Sequence, residues 1–170
     1  MSLRLPNVAA HHMVGYSETR AVQDEGCMTS PGGSNSRMVS VFFYGLFMDA
    51  DMLRSKGFHP ANERQASVAG MALRVGQRAA LALDTSKSTY GFVMDLSQEE
   101  LARLYSEPSV AAYRPQAIIA RLTSGHTIAA FCYNLPVPPQ ADERNPAYAA
   151  KLRELGRRLG LPHQYVESIG

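Results

Sequence analysis

Three acidic residues stand where a carboxylate could exchange protons with a small molecule: Asp84, Asp95 and Glu107. Asp84 and Asp95 read as turn or strand-end residues. Glu107 follows an amphipathic helical segment, is flanked by Ser106 and Pro108, and meets no basic residue before Arg114. By residue type alone it reads as a solvated acid near a helix end. A second feature is Phe43-Tyr44-Gly45-Leu46-Phe47. A strand that ends in glycine lets backbone N–H groups converge on an anion. Its aromatics also suit a core; Phe43 reads that way, and Tyr44 fits either role. His11-His12 could take a metal ion, but they sit in a stretch that reads as a solvated tail. Cys27 and Cys132 are too few and too far apart for a zinc site or a disulfide framework, and read as reduced thiols of a cytoplasmic protein.

The elements that would position these groups begin at Met38. Residues 1–37 show no lasting apolar period and include Thr29-Ser30-Pro31-Gly32-Gly33-Ser34-Asn35-Ser36. Such a segment buries too little surface to offset its ordering entropy. It is expected to be a disordered leader, with Met38 as an alternative natural start. Residues 38–170 are expected to form one domain.

Within that domain Met38–Tyr44 reads as a buried strand, and Asp49–Gly57 as a short capped helix. Residues 65–83 read as strands broken at Gly76, with Ala66, Val68, Gly70 and Ala72 alternating. Tyr90–Leu96 is a further strand. Ser97 and Glu100 form a capping box for a helix that carries Leu101, Leu104 and Tyr105 and stops at Pro108. Residues 117–122 and 127–133 form a hairpin about Ser124-Gly125. A proline-rich loop leads to a last helix from Pro146 to Leu159, closed by Gly160. Successive strands without intervening helices predict an α+β fold: a small mixed, barrel-like sheet with flanking helices.

Composition narrows the function. The chain has 170 residues, 45% of them apolar and 19% charged, with net charge +2. No basic-aromatic patch predicts nucleic-acid binding. No apolar run approaches the ~20 residues that span a bilayer. The densest basic group, Arg153, Arg157 and Arg158, reads as a solvated helix face. Oligomeric state has no signature.

The order of several short motifs resembles the γ-glutamylcyclotransferase and γ-glutamylamine cyclotransferase family over about residues 38–168. Phe43-Tyr44-Gly45-Leu46-Phe47-Met48 resembles that family's opening loop. Tyr90-Gly91-Phe92-Val93, a helix, Glu107 and Tyr113-Arg114 follow in the family's order. Asn145-Pro146-Ala147-Tyr148 and Leu159-Gly160-Leu161-Pro162-His163-Gln164-Tyr165 resemble its closing segment. The resemblance implies conversion of a small γ-glutamyl amine or peptide to 5-oxoproline and free amine, without metal or organic cofactor. It implies Glu107 as general base and acid, in an apolar setting that raises its pKa. It implies Tyr44, Gly45, Leu46 and Phe47 as the substrate loop, with Tyr113, Tyr133 and Tyr148 near the pocket. Tyr165 reads as packing.

Two departures carry the alternative reading of a non-catalytic small-molecule-binding domain. Leu46 stands where the family has Ser or Thr. Arg103-Leu104-Tyr105-Ser106-Glu107 lacks the Asp that precedes the family's Glu.

Overall fold

In the computed structural model, which describes residues 37–170, the β-branched and aromatic run after Arg37 forms β1 (Met38–Phe43). Residues 1–36 of the expected leader, with His11-His12 and Cys27, lie outside the described residues. Beyond Gly45 the chain makes one 3-10 turn, Leu46–Met48. Asp49 then caps α1 (Ala50–Ser55), its side chain accepting from the Asp51 N–H.

β2 (Ala61–Val75) and β3 (Ala79–Ser97) form a long hairpin that turns at Gly76-Gln77-Arg78. Tyr90–Leu96 is therefore the far end of a 19-residue strand rather than a separate one. A bulge interrupts this pair. Ala69 faces Ser88 and Met71 faces Leu83, so Asp84-Thr85-Ser86-Lys87 loop out opposite Gly70, whose φ is 77°. An inserted residue reverses which side chains point inward. Hence Ala66 and Val68 are buried, but beyond Gly70 it is Met71 and Val75, not Ala72 as the alternation predicts. Asp84 serves the bulge as a turn residue, accepting from the Ser86 N–H at 3.0 Å and the Ser86 hydroxyl at 2.6 Å. Asp95 clamps three strands, accepting from Ser40 (2.6 Å), Asn62 (2.8 Å) and Arg64 (2.8 Å).

The Ser97–Glu100 capping box starts α2 (Gln98–Leu104), which stops before Pro108. β4 (Arg114–Leu122) and β5 (Thr127–Asn134) form the expected hairpin. Asn145 caps α3 (Pro146–Arg158), and the short α4 (His163–Glu167) follows it. The arginines of α3 do more than solvate it. Arg157 pairs with Glu167 at 2.7 Å, Arg158 with Asp49, and Arg153 donates to the Ile169 carbonyl.

The strands close into a barrel in the order β1-β3-β2-β4-β5. β1 runs antiparallel to β3 and returns to β5 in parallel, with Val41 opposite Phe131. This is the expected mixed, barrel-like α+β architecture. β1 is buried on both faces, which explains its unbroken apolar run. Val41 and Phe43 join Leu96, Leu104, Leu152 and Val166 between sheet and helices. Phe42 joins Val68, Leu81, Val93, Ile118 and Cys132 inside the barrel. Each fully buried leucine side chain contributes about 1.5–3 kcal/mol. Among the described residues no helix is long and apolar enough to cross a membrane.

Candidate active site

The 3-10 turn after β1, the end of α1, the segment after α2 and the tip of the β2–β3 hairpin converge at one end of the barrel. Between them lies a cavity of about 510 Å³. That is within the usual range for small-molecule sites. Tyr44, Gly45, Leu46, Phe47, Glu107, Tyr113, Tyr133 and Tyr148 all line it. Residues spread across the folded chain are thus brought to one space. Tyr165 lies elsewhere, against the Tyr90 ring at 5.0 Å.

Each wall has a local cause. Gly45 lets the chain leave β1 beneath Tyr148; a Cβ there would stand 3.1 Å from the Tyr148 hydroxyl. Asn145 fixes Tyr148 in the first turn of α3 by accepting from the Tyr148 N–H at 3.1 Å. Glu107 follows the last turn of α2, and its carbonyl accepts from the Val110 N–H at 2.9 Å. The Tyr105 and Tyr133 rings stack at 3.6 Å.

The hairpin tip is tied in by polar bonds. Tyr113 donates to the Ala79 carbonyl at 2.5 Å. The buried Asn134 amide accepts from the Leu81 N–H and donates to the Leu81 carbonyl, both at 2.9 Å. It thereby imitates a strand residue toward β3, with which β5 has no ladder pairing. Tyr44 directs its hydroxyl at the Tyr133 carbonyl (2.9 Å) and Asn134 Oδ1 (3.1 Å).

Burial pushes the hydroxyls of Tyr44, Tyr105, Tyr113, Tyr133 and Tyr148 above the usual tyrosine range. For Tyr148 the neighbouring Leu46 amide opposes this in part. These groups stay protonated near neutral pH, so they can donate hydrogen bonds but cannot serve as bases. Cys132, buried behind them and free, has its thiol pushed up to about 11 by desolvation. Among the described residues lining the cavity, Glu107 is then the sole carboxylate and no histidine is present.

The setting of Glu107 differs from the apolar enclosure that the chemistry predicts. Its side chain keeps 35% exposure, and Lys56 Nζ stands 3.4 and 3.5 Å from its two carboxylate oxygens. The absence of a basic residue along the local sequence did not foretell this partner, which arrives from the C-cap of α1. Sequence reasoning also missed Arg78, Gln77 and Tyr105 as lining residues. Arg78 follows Gly76-Gln77 at a hairpin turn, where a lone arginine ordinarily signals nothing but solvation. Tyr105 sits in an apolar helix period, where a tyrosine signals packing alone.

No family model matches the sequence, and no curated protein matches it. Solved structures do. One described as a γ-glutamyl cyclotransferase superposes with a TM-score of 0.65 at 17% identity, over 78% of this chain and 86% of that one. An uncharacterized human protein gives 0.64 at 18% identity, over the same shares. A yeast γ-glutamyl cyclotransferase specific to glutathione gives 0.57 at 14% identity, over 78% of this chain and 93% of its own. At such identities the likeness speaks for backbone architecture alone. The described chain has the γ-glutamylcyclotransferase-like fold, a closed α+β barrel with flanking helices.

Proposed function

We propose that this domain is a cyclotransferase that converts a small γ-glutamyl amine or peptide to 5-oxoproline and the free amine. One observation carries the reading: among the described residues, the sole acid lining the cavity shares it with the loop that follows β1. The reaction is internal to the substrate. Its α-amine attacks its own γ-carbonyl carbon, a five-membered ring closes, and the bond to the leaving nitrogen breaks. One proton must leave the attacking nitrogen and one must reach the departing nitrogen. Glu107 carries both transfers as base and then acid. Lys56, which lines the same cavity, pairs with the carboxylate and orients it.

The N–H groups of Gly45 and Phe47 stand at the start of a helical turn, where the first donors have no partner within the turn, while the Leu46 N–H meets the Tyr148 hydroxyl. The Gly45 and Phe47 groups suit the substrate's α-carboxylate, and Leu46 needs no hydroxyl for that. Tyr44 and Tyr113 already direct their protons at protein acceptors, so they shape the wall. Tyr133 and Tyr148 are assigned as hydroxyl donors to the substrate. The redox-neutral chemistry balances without a further reactant. A reducing, cytoplasmic setting suits the free thiol of Cys132.

The test is 5-oxoproline release from γ-glutamyl amino acids, γ-glutamyl amines and glutathione. Wild type should turn over at least one of them, and Glu107→Gln should slow it by about 10²–10⁴-fold with an unchanged melting temperature. Equal rates would remove Glu107 from the mechanism. Saturable binding without turnover in wild type would establish the alternative, a binding domain of the same fold, which the exposed Lys56–Glu107 pair favours.

A further inference from the structure

The β2–β3 turn has two sides. On one it lines the cavity of Glu107; on the other it lines a second groove of about 470 Å³ with Leu135, Val137, Pro138, Pro139 and Glu143. Gln77 and Arg78 belong to both. The tip is held rather than loose. Glu143 accepts from the Gln77 N–H at 2.7 Å, and Arg74 donates to the Pro139 carbonyl at 3.3 Å. Gly76 has no room for a side chain, since a Cβ would lie 2.7 Å from Pro139 Cβ and closer still to Glu143.

The charges on the two walls are unequally engaged. Lys56 faces Glu107, and the Glu143 carboxylate receives a backbone N–H. Arg78 is half-buried and makes no salt bridge with any described residue. A guanidinium presents a planar fork of donors that suits a carboxylate. The groove beyond it has an apolar wall of Leu135, Val137, Pro138 and Pro139, with Val137 73% exposed, and a polar part of Gln77, Gln140 and Glu143.

We infer that Arg78 and this groove form a leaving-group subsite. It takes an amino acid or short peptide whose carboxylate meets Arg78 and whose apolar side chain lies against Val137 and Pro138. This rests on the cyclotransferase reading for the orientation of the substrate. The γ-glutamyl part occupies the cavity, the scissile amide lies by Glu107, and the departing amine points past Arg78. Amines without a carboxylate leave Arg78 desolvated and unpaired, and so bind less well.

The experiment separates the subsite from the chemistry by using ligands that cannot cyclise. N-glutaryl-L-norvaline and N-glutaryl-butylamine lack the α-amine and differ from each other by one carboxylate. Titrated calorimetrically into the full chain, the norvaline compound should bind about tenfold more tightly, the scale of one well-formed charged contact. Arg78→Gln should erase that difference, because the norvaline compound loses its carboxylate contact while the butylamine compound, which leaves Arg78 unpaired, has no such contact to lose.

Equal binding of the two ligands to wild type overturns the inference, as does a preference that survives Arg78→Gln. An equal loss for both ligands in Arg78→Gln overturns it too, because it assigns Arg78 to the carboxylate they share. The cyclotransferase reading fails by a different sign. If γ-glutamyl-L-norvaline is not turned over while the glutaryl pair still shows the Arg78-dependent preference, the chemistry is wrong and the carboxylate contact stands.

Discussion

The two sides of the barrel wall are built differently. Where the helices pack, Leu53, Leu96, Leu104, Leu152 and Val166 meet with no polar side-chain atom among them, and all are fully buried. At the cavity end the wall is largely tyrosine, and the hydroxyls of Tyr44 and Tyr113 are held by backbone carbonyls. The first region is stabilised by area removed from water, which tolerates modest displacement. The second depends on directed bonds to the hairpin tip, which do not. The barrel side under the helices sets whether the chain folds; the tyrosine end sets what shape the folded cavity has.

That division can be broken at either end. The largest loss of stability should come from Leu152→Ala, which removes a buried side chain from the helix-side core and costs about 2–5 kcal/mol. Denaturant unfolding would measure it, and ligand affinity of the folded fraction should not change. Asn134→Leu should cost less, about 1–3 kcal/mol, through the Leu81 N–H and carbonyl it leaves unpaired. Its signature should be faster amide exchange at Leu81 and weaker binding of a glutaryl amide. An Asn134→Leu protein that loses stability but keeps full affinity would erase the distinction between the two regions.

The smallest effect should appear as a pH dependence outside both. Burial opposes the charge of Glu100, but the Ser97 and His59 N–H groups, the His59 ring and the Ser97 hydroxyl outweigh it and hold the carboxyl below its usual range. A depressed folded-state pKa means that the contribution is complete above the ordinary glutamate range. It is lost as pH falls through the folded value. Glu100→Gln should therefore flatten the acid limb of a stability-against-pH curve and leave ligand binding untouched. An unchanged acid limb would show that the capping box holds without its charge.

The sequence made one of these regions easier to see than the other. Helix starts at Asp49 and Ser97 carry local capping chemistry, Pro146 marks a third, and all three form. The β1 run and the β4–β5 hairpin follow from residue type and a glycine turn. The inward parity of β2 did not, because the bulge at Gly70 depends on how many residues β3 loops out opposite it. α4 escaped notice because five residues are too few to display a helical period. In the cavity, motif order brought the aromatic lining and Glu107 together. Lys56 and Arg78 were invisible because each acts on a residue or space far away in the chain, and nothing local marks a cation that meets a distant partner.

The parallel seam between β1 and β5 has a consequence in time. β1 can pair with β3 once the long hairpin exists, but its other edge is met only by β5, near Phe131. Contacts between such distant segments close slowly, because most of the intervening chain must be ordered before they are rewarded. On a ribosome, the Val-Phe-Phe edge of β1 would therefore wait, uncovered, until the second hairpin emerged. Destabilising the β4–β5 turn at Gly125 should then show first as aggregation during synthesis, and only second as a lower melting temperature of the molecules that finish folding.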